Sequence, residues 1–151
     1  MLEPAAIPRE KAVIGGRCLC GAVRFQVTSA FEYAGYCHCS RCRASSGAAF
    51  SASAGVRSEH VRITAGESEI GSYLRNADVT SHFCRCCGSV LFLLVRDAQY
   101  AHIQMGALDT DPGIRPQYHM HVASKASWHQ INDTLPQFAD LAPAAEGKRP
   151  A

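Results

Sequence analysis

The sequence predicts a mainly β domain that is held together by metal and contains short helical turns. The chain has 151 residues, the size of one ordinary domain. It is 47% hydrophobic and 19% charged, which supplies enough apolar material for a core and excludes disorder throughout. Short apolar or alternating segments recur between turn residues, as is typical of β-strands. Eight cysteines fall into three tight clusters, a pattern typical of metal binding.

The individual strands are predicted from periodicity and from the turn residues between them. Val23, Phe25 and Val27 alternate with polar residues and predict a half-buried strand just after the first cysteine pair. The segment Val90–Val95 is apolar on both faces, which predicts a central strand. Further strands are expected at 48–55, 59–64, 71–76, 79–84, 100–105 and 117–122, and short helical turns within 37–47 and after Pro136.

One domain is expected at residues 15–141, between an irregular lead-in at 1–14 and a small, polar, flexible tail at 142–151. The N-terminus lacks the continuous apolar stretch of a secretory signal. The longest apolar run has six residues, whereas a membrane helix needs about 20. The formal net charge of +2 offers no basic stripe for nucleic acid. We therefore expect a soluble, cytoplasmic protein that binds neither nucleic acid nor membrane.

The cysteines favour metal ligation over disulfides or inert core thiols. An even number of cysteines permits a disulfide framework, but the cytoplasm keeps thiols reduced. Core thiols would be scattered along the chain, whereas these are clustered. The clusters are Cys18-Leu-Cys20, Cys37-His-Cys39-Ser-Arg-Cys42 and Cys84-Arg-Cys86-Cys87-Gly88.

Counting the sulfur ligands predicts two different centres. Cys84 and Cys87 form a C-x-x-C turn followed by Gly88, and Cys86 inside that turn is expected to be a bystander thiol. The seven remaining cysteines divide into four and three, which suits one closed zinc site and one with an open position. Spacing alone does not fix the pairing. Joining the second and third motifs as a zinc ribbon would need a loop of about 41 residues, beyond the usual 15–20.

Several stretches together carry a family resemblance. They are GRCLCGAVRF at 16–25, YCHCSRCR at 36–43, SGAAF at 46–50, FCRCCGSVLF at 83–92, Gly106-Ala-Leu-Asp109, Pro116 with His119, Ser127-Trp128 and Leu135-Pro136. In this order they resemble the glutathione-dependent formaldehyde-activating enzyme (Gfa) family, whose fold is the Mss4-like β-tent. The resemblance extends from residue 16 to about residue 138.

The resemblance implies two Zn²⁺ ions per chain, and a zinc held by three protein ligands is expected to be lost more easily than one held by four. It implies a structural zinc bound by Cys18, Cys20, Cys84 and Cys87, and a catalytic zinc with an open position bound by Cys37, Cys39 and Cys42. It also implies a carbon–sulfur lyase or synthase that forms S-hydroxymethylglutathione, or a related adduct, from a small thiol such as glutathione and an aldehyde. A homodimer is possible, but the sequence does not determine the oligomeric state.

The chemistry of a three-thiolate zinc agrees with that implication. Such a zinc is a weak Lewis acid that suits a soft thiol better than water. One alternative is a zinc-stapled Mss4-like binding module without catalysis, in which Cys86 or a histidine closes the second site. Another alternative is a metal or redox sensor that uses Cys86 as a reactive thiol.

Other side chains near the motifs have two interpretations each. His38 is expected to be a polar neighbour of its loop or else a proton shuttle. Arg41 and Arg43 either attract glutathione carboxylates or form a solvated loop face. Asp109 is a site acid or a turn cap. Core positions are expected for Trp128, Phe25, Phe50, Phe83 and Phe92, and ordinary core or loop positions for His82, His102, His119, His121 and His129.

Overall fold

A computed structural model describes residues 13–143 of the chain. Within this range there are ten strands, one α-helix and four short 3₁₀ turns. The strands are β1 (Ile14–Arg17), β2 (Arg24–Val27), β3 (Tyr33–Cys37), β4 (Ser51–Arg57), β5 (Val61–Ala65), β6 (Ile70–Asn76), β7 (Val79–Cys84), β8 (Val90–Val95), β9 (Tyr100–Gln104) and β10 (His119–Met120). The helix α1 is Ser40–Ser46, and the 3₁₀ turns are Ser58–His60, Glu67–Glu69, Met105–Ala107 and Val122–Ser124.

The strands form two sheets. A three-stranded sheet has the order β1-β2-β5, and a seven-stranded sheet has the order β10-β3-β4-β9-β8-β7-β6. Neighbouring strands are antiparallel, except that the short β10 runs parallel to β3. The mainly β prediction is confirmed, and the architecture is consistent with an Mss4-like fold.

Hydrophobic patterning explains the best-predicted strands. Phe25 and Val27 are buried in β2, whereas Arg24 and Gln26 are exposed, as the alternation predicts. The three apolar residues 91–93 are all buried in β8, which lies between β7 and β9. Both faces of β8 are covered, and the predicted central strand is therefore confirmed.

The core lies between the two sheets and extends to the buried cysteines Cys18 and Cys84. The rings of Phe25 and Phe92 meet edge to face with centroids 6.5 Å apart. Burying a side chain such as Phe25 contributes about 1.5–3 kcal/mol. The predicted core positions of these two rings are confirmed, whereas Phe50 and Phe83 are only partly buried. Cys18 and Cys84 belong to the same buried cluster.

Two strands were not predicted, because glycines weaken their strand pattern. In β1, Gly16 lies under the ring of Phe25, and any β-carbon there would collide with the ring. In β3, Gly35 is covered in the same way by Tyr118. These glycines therefore serve close packing between neighbouring elements.

The C-terminal part of the described chain differs from expectation. The predicted helical turn after Pro136 is wrong, because residues 127–141 contain no helix. Their backbone instead bonds to the β10 region, for example from Phe138 N to the carbonyl oxygen of His119 (2.9 Å). The predicted core position of Trp128 is also wrong, since this side chain is 73% exposed.

The remaining expectations about boundaries were met only partly. The strand predicted at 48–55 is displaced to Ser51–Arg57, and the one at 117–122 shortens to His119–Met120. The predicted lead-in and tail fall almost entirely on residues 1–12 and 144–151, outside the described range. Across residues 13–143, no helix combines the length and the apolar character that membrane crossing requires.

Candidate metal centres

Four cysteines from two distant turns meet at one point. Cys18 and Cys20 follow β1, and Cys84 and Cys87 lie at the end of β7 and just beyond it. All four sulfurs lie within 4.8 Å of one another, with Cys18–Cys20 at 3.6 Å and Cys20–Cys84 at 3.9 Å. A tetrahedral zinc with Zn–S bonds of ~2.3 Å separates its sulfurs by ~3.8 Å. The donor set therefore fits a closed zinc site.

Both turns use a left-handed glycine to close. Gly21 has φ +78° and donates its N–H to the carbonyl oxygen of Cys18, and Gly88 has φ +77° and donates to that of Cys84. Other residues rarely adopt this backbone conformation. The N–H of Leu19 also donates to the Ser89 hydroxyl at 2.9 Å, which ties one turn to the other.

The other three cysteines converge at the start of the helix. Cys37 ends β3, Cys39 is the N-cap of α1, and Cys42 lies in the first helical turn. The Cys39 sulfur accepts a hydrogen bond from the Cys42 N–H at 3.4 Å. All three sulfurs lie within 4.8 Å of one another, which suits binding to one soft metal ion.

The three sulfurs also interact electrostatically. Hydrogen bonds from Cys37 and Cys42 lower the pKa of Cys39, whereas the contacts of Cys37 with Cys39 and Cys42 raise the pKa of Cys37. The three thiols therefore share their protons as a unit. In the described range, no other cysteine, histidine or carboxylate completes this group as a fourth ligand.

Cys86 lies outside both groups. It is exposed, and its thiol donates a hydrogen bond to a carboxylate oxygen of Glu69 at 3.2 Å. This hydrogen bond raises the pKa of Cys86 to about 11. The thiol is therefore protonated near neutral pH, in agreement with a bystander and not with a reactive thiolate.

A chain of two buried histidines and a half-exposed carboxylate supports the three-cysteine loop, and sequence analysis missed it. His38 and His119 are 0% and 2% exposed, and His38 Nε2 lies 2.8 Å from His119 Nδ1. His119 Nε2 lies 3.0 Å from a carboxylate oxygen of Asp133, which is half-exposed. No local sequence pattern indicates this contact, because the two histidines are 81 residues apart.

The chain of hydrogen bonds has one direction when both rings are neutral. The Asp133 carboxylate only accepts, so His119 Nε2 carries the proton and His119 Nδ1 accepts from His38 Nε2–H. Burial lowers the pKa of His38 to about 4, which favours its neutral form. His38 Nδ1 is then an acceptor with no hydrogen-bond partner in the described part of the chain.

His38 is held by its backbone as well. Its N–H donates to the Met120 carbonyl oxygen at 3.0 Å, and its own carbonyl oxygen accepts from Arg43 Nε at 3.4 Å. The expected polar neighbour of the loop is thus a buried residue that fixes the loop. Arg43 contacts the backbone of this loop, whereas Arg41 is exposed.

A cavity of about 610 Å³ is lined by Cys18 of the four-cysteine group and by residues at the end of α1 and just after it, but by none of the three sulfurs of the other group. Ser51 lies in its wall and pairs with Cys37 across the β3–β4 ladder. Asp109 accepts a hydrogen bond from Arg17 Nε at 3.1 Å, so this carboxylate forms an ion pair in the cavity wall. The wall consists of residues 17–19, 45–46, 50–52, 88–90, 104 and 106–109.

Arg75 is a further residue near the three cysteines that sequence analysis missed. Its Nη1 lies 3.9 Å from the Cys42 sulfur, and its Nη2 lies 3.3 Å from the Ser81 hydroxyl. In sequence, this arginine simply precedes the turn between two predicted strands. No signal short of the sheet register could have identified it.

Comparisons with known proteins agree with this geometry. The family model for glutathione-dependent formaldehyde-activating enzymes matches residues 13–124. A Halomonas elongata protein, provisionally named as such an enzyme, is 31% identical over an alignment of 127 positions that covers 79% of this chain and 81% of that protein. A crystal structure of a Rhodobacter sphaeroides protein aligns with a TM-score of 0.54 and 25% identity, over 68% of this chain and 91% of that one. This chain therefore belongs to the glutathione-dependent formaldehyde-activating enzyme family.

Proposed function

We propose that the protein is a carbon–sulfur lyase that reversibly joins a small thiol, such as glutathione, to formaldehyde or a related aldehyde. The observation that carries this proposal is the grouping of three sulfurs without a fourth ligand in the described range. It occurs beside a complete group of four, in a chain of this family. A closed centre supports the fold, whereas an incomplete one leaves room for a substrate.

The two groups would have different roles toward zinc. Cys18, Cys20, Cys84 and Cys87 would hold a structural ion, and Cys37, Cys39 and Cys42 would hold a catalytic one. A zinc ion bound to three thiolates supplies an electron-rich position that favours a substrate sulfur in its thiolate form. This is useful near neutral pH, because a free thiol with a pKa of ~8.5 is mostly protonated.

The reaction requires little covalent chemistry from the protein. In the synthetic direction, a C–S bond forms between the thiol sulfur and the aldehyde carbon, and the carbonyl oxygen gains the proton that the thiol loses. The reverse direction breaks the same bond. The protein acts mainly by holding the reactants together. In this proposal the Arg17–Asp109 pair in the cavity wall presents both charges to the carboxylate and ammonium groups of a glutathione-like thiol.

The non-catalytic binding module has less support. A closed second site would require a fourth protein ligand, and Cys86 bonds to Glu69 instead. We further propose a cytoplasmic location and small-molecule partners. Nucleic acid is not proposed as a partner, since a net charge of +2 provides little attraction for it. A homodimer stays a prediction that sedimentation equilibrium can test.

Exchange NMR tests the proposed reaction. Glutathione and ¹³C-formaldehyde are mixed at equilibrium with zinc-loaded protein, and the exchange rate between free aldehyde and adduct is measured. We expect the wild type and Cys86→Ser to accelerate exchange above the uncatalysed rate, and Cys39→Ser to return it to that rate. Full acceleration by Cys39→Ser would contradict the proposal.

A further inference from the structure

Arg75 lies at an irregularity of the sheet. In the β6–β7 ladder, Leu74 pairs with Thr80 and Asn76 pairs with Val79, so Arg75 has no partner residue across the ladder. It is the extra residue of a β-bulge. Bulges bend a strand and redirect a side chain, and they are common beside functional sites.

The redirected side chain reaches the three-cysteine group. Arg75 donates from Nη2 to the hydroxyl of Ser81, a residue only 5% exposed in β7. It donates from Nη1 to the Cys42 sulfur at 3.9 Å. Because the two nitrogens belong to one planar guanidinium, these contacts together fix its orientation.

The charge of Arg75 has no carboxylate partner in the described part of the chain. Three thiolates around a divalent ion carry a net charge of about −1, and a fourth thiolate makes it about −2. A neighbouring guanidinium stabilises both of these anionic states. Within the described range, no arginine or lysine donates to a sulfur of the four-cysteine group.

We propose that Arg75 is a positioning residue that strengthens metal binding by the three-cysteine group and favours entry of an anionic fourth sulfur ligand. This inference rests on the proposed function, because it assumes that the group binds a metal ion with an open position. It goes further because it assigns the compensation of that centre's negative charge to a residue of β6, an edge strand of the seven-stranded sheet.

Metal competition tests this role without any catalytic assay. The two metal affinities of the full chain are measured with zinc and a chromophoric chelator for the wild type, Arg75→Gln and Arg62→Gln. Arg62 is an exposed arginine of β5, so its replacement makes the same charge change on the other sheet. In Arg75→Gln we expect the weaker affinity to fall roughly tenfold, as for loss of one charge-assisted hydrogen bond. The stronger affinity should not change, and Arg62→Gln should match the wild type.

Cobalt provides a second readout. In Co²⁺-loaded protein, the sulfur-to-metal absorption of the weaker site should shift in Arg75→Gln, and about tenfold more glutathione should be needed to perturb that band. Arg75→Lys retains the positive charge without the planar guanidinium. It should recover part of the metal affinity of the weaker site and part of its response to glutathione. This variant also keeps the test valid if Arg75→Gln folds poorly.

The outcomes separate the two proposals. A wild type that binds only one metal per chain overturns the proposed function, and this inference with it. A wild type that binds two, with an Arg75→Gln variant whose weaker affinity and cobalt spectrum are unchanged, overturns only the role of Arg75. An equal loss in Arg62→Gln would also overturn it, because the effect would then be one of overall charge.

Discussion

Replacing His119 by phenylalanine removes the middle member of the His38–His119–Asp133 hydrogen-bond chain. The new ring keeps the aromatic shape that packs against Tyr36, where the ring centroids are 4.9 Å apart. It offers no acceptor to His38 Nε2–H, which now lies 2.8 Å from His119 Nδ1. The substitution therefore tests the hydrogen bonds with little change in packing.

The expected cost comes mainly from His38. This residue is 0% exposed, and its Nδ1 already lacks a partner within residues 13–143. Leaving a buried N–H unsatisfied costs about 1–3 kcal/mol. We expect the free energy of unfolding to fall by about that amount. The lost contact with Asp133 adds little, because this carboxylate is half-exposed and screened by water.

Urea unfolding of the zinc-loaded protein measures the effect, with excess zinc present throughout. Asp133→Asn is the matched control, since its side-chain oxygen can still accept from His119 and its effect should be much smaller. If His119→Phe were as stable as the wild type to within about 0.5 kcal/mol, the histidine chain would not support the loop as argued.

Three further predictions concern other parts of the molecule. Gly66→Ala should lower the free energy of unfolding, measured with urea, by more than about 2 kcal/mol, because strain at φ +73° adds to a collision with a backbone carbonyl oxygen. Gly47→Ala, at φ +64° in open space, should lower it by only about 1–2 kcal/mol. Equal losses in the two variants would contradict the collision at Gly66. Zinc analysis of purified protein should show metal loss in Cys84→Ser and none in Cys86→Ser, and the reverse result would overturn the ligand assignment. The His38 ring should titrate by NMR near pH 4, well below its ordinary 6.5, because it is fully buried. As the pH falls from 6.5 toward 4, the His38 ring binds a proton in the unfolded chain before it does so in the folded chain. The contribution of this ring to stability is therefore complete above pH 6.5 and is lost as the pH falls toward 4.

The sequence predicted those parts of the fold that local patterns determine. Alternation located β2, and a two-sided apolar run located β8. Counting the cysteines predicted a division into four and three, and the structure groups the sulfurs in that way. It also brings the first motif together with the third, which spacing alone did not decide.

The missed features depend on contacts between distant segments. The strand β3 contains Gly35, where a side chain would collide with the ring of Tyr118 packed over it. His119 meets His38 across 81 residues, and Arg75 reaches Cys42 only because a bulge redirects it. The residue type of Trp128 predicts a core position, yet this side chain is 73% exposed, because no local pattern shows what packs against it.

Native mass spectrometry of zinc-supplemented protein, with and without glutathione, tests the central claim most directly: the three-cysteine group is an open metal centre that binds a thiol. We expect two zinc ions per chain and a glutathione adduct that is lost on denaturation and absent in Cys39→Ser. Two zinc ions with no adduct at millimolar glutathione, or an adduct that persists in Cys39→Ser, would contradict the claim.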